Sequence, residues 1–206
     1  MKIYTHKESE KFLKGLPLAK SFLTKNKNDL KKVKKFPVVL KIISKQALHK
    51  TDIGGIKIVE DKDKLEREFE NLIRTAKRKR LKLDGILVQE FVKGRELIIG
   101  IKRDVTFGHS IMFGIGGTLV EAVRDVAFRV CPISAGDADS MIDDLKYKNL
   151  LLGFRGEKAV NLKKVKQILV AVSKIPQKHP EIEELDINPL IASDKECKIV
   201  DARIIR

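Results

Sequence analysis

The chain contains no tryptophan, only two cysteines, and 5% aromatic residues among its 206. Cys131 and Cys197 stand far apart in sequence, which excludes both a disulfide framework and a CxxC metal knuckle and leaves two free thiols. Scarce aromatics and the absence of an RNP-type motif remove the stacking platform on which RNA modules depend. No stretch approaches the roughly 18 uninterrupted apolar residues of a membrane span. The opening "MKIYTHKESEKFLKG" lacks the apolar centre of a signal peptide, so a cytoplasmic protein with no membrane partner is expected. Neither a Walker A sequence nor a GxGxxG opening a βαβ unit is present, and no repeat or low-complexity tract interrupts the chain.

What is present is a globular composition, 43% hydrophobic and 34% charged, with a net charge of +15. Such a field attracts polyanions, but the lysines are dispersed, as in "KNKNDLKKVKK" and "RTAKRKRLK", along the solvent faces of expected helices. The charge therefore reads as lysine-rich composition rather than a nucleic-acid surface, and it serves equally well to draw in ADP, ATP or phosphate.

The patterning predicts a helix near 7–14 closed by Gly15, a strand near 18–23 and a basic helix near 27–34. "FPVVLKII" and "GGIKIVE" read as strands and "DKLEREFENLIRTAKRK" as an amphipathic helix. Segments 85–92 and 95–103, joined by a Lys-Gly turn, are expected to form a hairpin. Helices are predicted over 137–152 and 161–174, and "EELDINPLIAS" and "CKIVDARII" form a terminal hairpin around "DKE". Antiparallel hairpins mixed with helices indicate an α+β fold rather than a doubly wound sheet.

Three constellations carry chemistry. Lys41 ends the apolar run "PVVLK", where alternation aims one cation out of the strand, either toward a ligand or to solvent. Gly54 and Gly55 close an irregular segment in "ALHKTDIGGIKI", and "FGIGG" offers a second glycine-rich turn where main-chain N–H groups can approach phosphate. Near the C-terminus, hairpin pairing brings Asn188 of "LDINPL" beside Asp201 of "VDARI". These oxygens suit Mg²⁺, which accepts few protein ligands and retains waters; a hairpin end bridged by Arg203 is the other reading.

The blocks "FPVVLKIIS", "LHKTDIGGIKI", "ILVQEFVKGRELIIGIKRDVTFG", "MFGIGGTLVEAVRDVAFRVCPIS", "RGEKAVN" and "LDINPL…VDARI", in this order, resemble the ATP-grasp β subunit of archaeal ADP-forming acyl-CoA synthetases, the acetate:CoA ligases (ADP-forming). The likeness runs from about residue 7 to the end and implies a whole subunit. It implies an ATP-grasp fold whose two subdomains, approximately 18–91 and 92–206 with the 1–17 segment packed on the body, enclose a nucleotide cleft. The reaction implied is acyl-CoA + ADP + phosphate ⇌ acid + ATP + CoA, with Mg²⁺ as cofactor. A separate α subunit would carry the CoA-binding and phosphohistidine domains, in an α2β2 assembly.

By the same resemblance His49 is the histidine that accepts the phosphoryl group before ADP takes it. Lys41 and Lys50 face the moving phosphate, and Gln89, Glu90, Phe91 and Val92 line the adenine. Glu96 lies near the nucleotide sugar or base, and Gly116 and Gly117 form the turn at the site mouth. Asn188 and Asp201 ligate Mg²⁺ with Asp186 in support. Arg124, Asp125 and Arg129 stand either for a channel or subunit contact or for a structural ion pair. Two other readings remain beside this one. The first is a basic nucleic-acid-binding module, marked by steep salt dependence. The second is an ATP-sensing ATP-grasp domain that has lost transfer chemistry, against which the presence of Lys41, His49, Asn188 and Asp201 counts.

Overall fold

The computed structural model describes residues 2–4, 6–44, 46, 53–117, 125–153 and 156–206. They form two compact units, one of residues 19–91 and one of 1–18 with 92–206. Every strand-to-strand ladder among the described residues is antiparallel, as the α+β expectation requires. No helix among them is long and apolar enough to cross a membrane.

In the 19–91 unit, β1 (Ser21–Thr24), β2 (Val38–Ile43), β3 (Ile56–Val59) and β4 (Gly85–Glu90) make a four-stranded sheet in the order β1-β4-β2-β3. Helix α2 (Lys62–Arg78) begins where the Asp61 side chain accepts the Lys64 N–H. Leu65, Phe69, Leu72 and Ala76 recur at helical spacing on one stripe of α2, and all four are buried. They share one apolar cluster with Leu40, Ile42, Ile86 and Val88 of the sheet. The opposite sheet face therefore carries the alternate residues of β2 and β4, among them Lys41 and Gln89. The basic segment predicted as a helix over 27–34 is a 3₁₀ helix, Lys27–Lys32, held at its start by the Asn26 side chain.

In the other unit, α1 (His6–Phe12) precedes β5 (Arg95–Asp104), β6 (Gly108–Ile115), β7 (Val126–Val130), β8 (Glu184–Ala192), β9 (Cys197–Ile199) and β10 (Ala202–Ile205). The sheet order is β10-β8-β5-β6-β7, with β9 also on β8. Helices α3 (Ala135–Asp143), α4 (Asn149–Leu152), α5 (Leu162–Ser173) and α6 (Ile175–Lys178) follow β7. Leu97, Ile99, Ile111, Phe113, Ala127, Leu185 and Ile187 alternate into one core with Met141, Val165 and Leu169. The outer face of this sheet consequently bears Glu96, Gly100, Met112, Phe128, Asp186 and Asn188.

Two expectations are corrected. Segments 85–92 and 95–103 are not a hairpin, because β4 is already paired on both sides, by β1 and β2, whereas β5 pairs with β6 and β8. The turn-like Gly94 is instead a close-packing position, where a Cβ would collide with the Ala192 carbonyl. The helix expected over 137–152 is broken into α3 and α4. The buried Asp125 carboxylate takes the Lys146 and Tyr147 N–H groups, both at 2.9 Å, and terminates the helical ladder from outside.

Candidate functional site

Lys41 stands opposite Leu87 and Ile56 in the 19–91 sheet, and it is only 6% exposed. A cation so far withdrawn from water requires a polar counterpart, which sets it apart from a lysine ending a strand in solvent. Gln89, 3% exposed, lies diagonally across the ladder from it, since Val39 faces Gln89 and Lys41 faces Leu87. The two polar heads thus share the face that α2 does not cover. Glu90 is occupied locally, accepting the Lys20 N–H at 2.8 Å while its own N–H donates to the Lys20 carbonyl at 2.9 Å. Phe91, by contrast, is exposed, and Val92 is half-buried.

Gly54 has φ +65 and Gly55 is buried, its carbonyl accepting the Ile42 N–H at 2.8 Å. This bond continues the β2–β3 ladder to the end of the irregular segment. His49 and Lys50, assigned to phosphoryl transfer, lie outside the described residues, as does Arg124.

In the second unit, Glu96 and the glycine turn come together. The Gly116 N–H donates to the Glu96 carbonyl at 2.7 Å, and a Cβ on Gly116 would lie 3.2 Å from that carbonyl. The close approach favours glycine, and the bond commits the Gly116 N–H to the protein, so this donor is not one that a phosphate can use. Gly117, with φ +96, turns the chain away in a conformation that L side chains rarely adopt.

Asn188 and Asp201 are brought opposite one another, as expected, the Asn188 N–H donating to the Asp201 carbonyl at 3.2 Å. Pro189 supplies no N–H to the ladder, and the strand facing β8 splits here into β9 and β10 with Val200 and Asp201 between them. Asn188 is exposed and Asp201 half-exposed, and Asp186 lies two residues back on the same face, in register with Arg203. No cluster of three or more His, Cys, Asp or Glu suited to a metal occurs among the described residues. An amide and a carboxylate oxygen nevertheless fit a hard cation that keeps most of its waters.

Asp125 and Arg129 both make contacts within the fold. Asp125 caps the α3–α4 connection, and Arg129 donates to Ser140 Oγ at 2.8 Å and Asp144 Oδ2 at 2.7 Å, clamping β7 to α3. His109 Nε2 is engaged by the Ile182 carbonyl at 2.7 Å, and His179 packs edge-on against Phe12. The reading by sequence passed over Gly100 and Met112, which the register sets on the outer face in one row with Asp186. The alternation in "LIIGIK" was the available signal.

An ATP-grasp domain family matches residues 2–205. The chain is 39% identical, over 96% of its length, to the β subunit of acetate–CoA ligase (ADP-forming) I of Pyrococcus furiosus, and covers 89% of it. Identity to the 4-hydroxybutyrate–CoA ligase (ADP-forming) of Nitrosopumilus maritimus is 40% over 96% of the chain, which spans only 30% of that larger protein. Among solved structures, acetyl-coenzyme A synthetase 1 of Ca. Korarchaeum cryptofilum, in complex with coenzyme A and Ca-AMPCP, superposes with a TM-score of 0.93 at 42% identity, covering 99% of this chain and 93% of that one. The same enzyme with coenzyme A and Mg-AMPPCP gives a TM-score of 0.82 at 40% identity, over 98% of this chain and 91% of that one.

Proposed function

The chain belongs to the ATP-grasp family, alongside the β subunits of ADP-forming acetate–CoA ligases, and on that premise we propose that it is the nucleotide-binding subunit of an ADP-forming acyl-CoA synthetase. The observation that carries this reading is the near full-length match to a separate β subunit. The reaction is acyl-CoA + ADP + phosphate ⇌ acid + ATP + CoA, completed by a companion polypeptide that binds CoA. A cytoplasmic α2β2 assembly is the corresponding arrangement.

In this reading Lys41 holds nucleotide phosphates, and its burial supports the role because a desolvated ammonium interacts strongly with an anion. Gln89 to Val92 accompany the adenine, and Glu96, set beside the Gly116–Gly117 turn, accompanies the sugar or base. Asn188 and Asp201 hold Mg²⁺, which when bound supplies charge neutralisation to the phosphates. His49 takes a phosphoryl group from the companion on a ring nitrogen and releases it to ADP. The P–N bond breaks as the P–O bond to the ADP β-phosphate forms, and Lys50 faces the transferred group.

The test is mass spectrometry of the chain after incubation with Mg-ATP, handled at alkaline pH to preserve phosphohistidine, beside a His49→Ala control. An acid-labile phosphoryl group on His49, absent from the control, is expected. Nucleotide binding without that modification, even after the companion is added, overturns the relay and leaves a binding or sensing role.

A further inference from the structure

The chain enters the 19–91 unit at Ala19 and leaves it at Phe91. Entry and exit lie side by side, because β1 and β4 pair antiparallel with Ser21 opposite Gln89. One residue beyond that pair, the ladder closes through a side chain. The Glu90 N–H donates to the Lys20 carbonyl at 2.9 Å, as an antiparallel pair requires, but the Lys20 N–H donates to Glu90 Oε1 at 2.8 Å. A carboxylate therefore stands as acceptor where such a pair ordinarily uses a main-chain carbonyl. Hydrogen bonds to an ionised acceptor are about twice as strong as neutral ones, so this bond fastens the entering chain firmly to the leaving one.

Alternation along β4 sets the Glu90 side chain on the side of Ile86 and Val88, which belong to the cluster under α2, and away from the face of Gln89 and Lys41. Glu90 thus contributes main chain, and not its carboxylate, to the face that carries the polar heads of Lys41 and Gln89. β4 ends at Glu90, so Phe91 and Val92 follow directly after the clasped pair. Where Glu90 is held decides how the chain after it begins.

We propose that Glu90 is a positioning residue for nucleotide binding: by holding the Lys20 N–H, its carboxylate clasps entry to exit and keeps the main chain at Phe91 and Val92 in the conformation that meets the base. The proposal rests on the function proposed above, in which Gln89 to Val92 accompany the adenine. A strip ordered beforehand loses less freedom when the ligand arrives, which raises affinity without adding a contact.

The test compares wild type with four variants. Glu90→Leu and Glu90→Val suit a strand but carry no acceptor, Glu90→Gln keeps an acceptor oxygen without the charge, and Lys20→Ala keeps the main-chain N–H but removes the ammonium. Calorimetry measures Mg-AMPPCP affinity, thermal melting reports the fold, and hydrogen exchange by NMR follows the amide at position 20. The Leu and Val variants are expected to speed that exchange and to weaken affinity about three- to tenfold. Glu90→Gln should recover most of the loss, and Lys20→Ala should bind as wild type. Wild-type affinity in the Leu and Val variants, with only the melting temperature lowered, makes the bond purely structural and overturns the proposal while the function stands. So does a Glu90→Gln variant as weak as Glu90→Leu, which assigns the charge itself to the ligand, or an equally weak Lys20→Ala, which assigns the effect to an ion pair. A wild-type chain that binds no Mg-AMPPCP overturns both readings.

Discussion

Single residues separate binding from scaffolding. Replacing Lys41 by Met keeps its length and apolar stem but removes the ammonium; Mg-AMPPCP affinity is expected to fall about ten- to a hundredfold, the range of a charged hydrogen bond, as read by calorimetry. Asp201→Asn should abolish most of the Mg²⁺ dependence of nucleotide binding while leaving the melting temperature near wild type. Asp125→Ala has the reverse signature. It strands two N–H groups beside a 5% exposed site, costs about 2–3 kcal/mol in urea denaturation, and leaves nucleotide affinity of the folded fraction unchanged. Burial pushes both cysteine thiols up, Cys131 to about 11 and Cys197 to about 11. At about pH 8 few of either are thiolate, so iodoacetamide labelling is expected to be slow until the chain unfolds.

Among the elements, α2 and α3 show how local chemistry and packing divide the work. Phe69 is 1% exposed at the middle of the α2 stripe, and Phe69→Ala should destabilise the 19–91 unit by about 3–5 kcal/mol, measured by urea denaturation. Helix α3 starts with a reciprocal capping box between Ser134 and Asp137. The Ser134 N–H and hydroxyl hold the Asp137 carboxyl below its usual range. A depressed folded-state value means that this contribution is complete above the unfolded value, near pH 4, and is lost as pH falls through the folded value. The acid-induced drop in melting temperature is therefore expected to be smaller in Asp137→Asn than in wild type. Ser134→Ala should cost about 1 kcal/mol at neutral pH.

At the scale of the whole molecule, the chain alone is expected to bind Mg-ADP yet turn over no acyl-CoA until its companion is supplied, which a coupled assay checks directly. Some of the 43 basic residues behind the +15 net charge are paired within the fold, as where Lys27 meets Glu66 at 2.9 Å and Glu70 at 3.0 Å. These pairs suit the reading of charge as composition.

The apolar periodicity of "KLEREFENLIRTA", the β-branched run "PVVLKII" and the order of six motifs together determined the main elements, the α+β class and the family, because each is written in neighbouring residues or in their succession. Tertiary structure alone decided that β4 and β5 enter different sheets, since the choice depends on which strand edges are already filled by distant segments. It alone decided that Asp125 breaks a helix about twenty residues onward, that Lys41 is buried and that the Gly116 N–H is spent on Glu96. It also left the Phe128 and Val130 side chains exposed on β7. Alternation sets which side of a strand a residue occupies, but long-range pairing sets what that side meets.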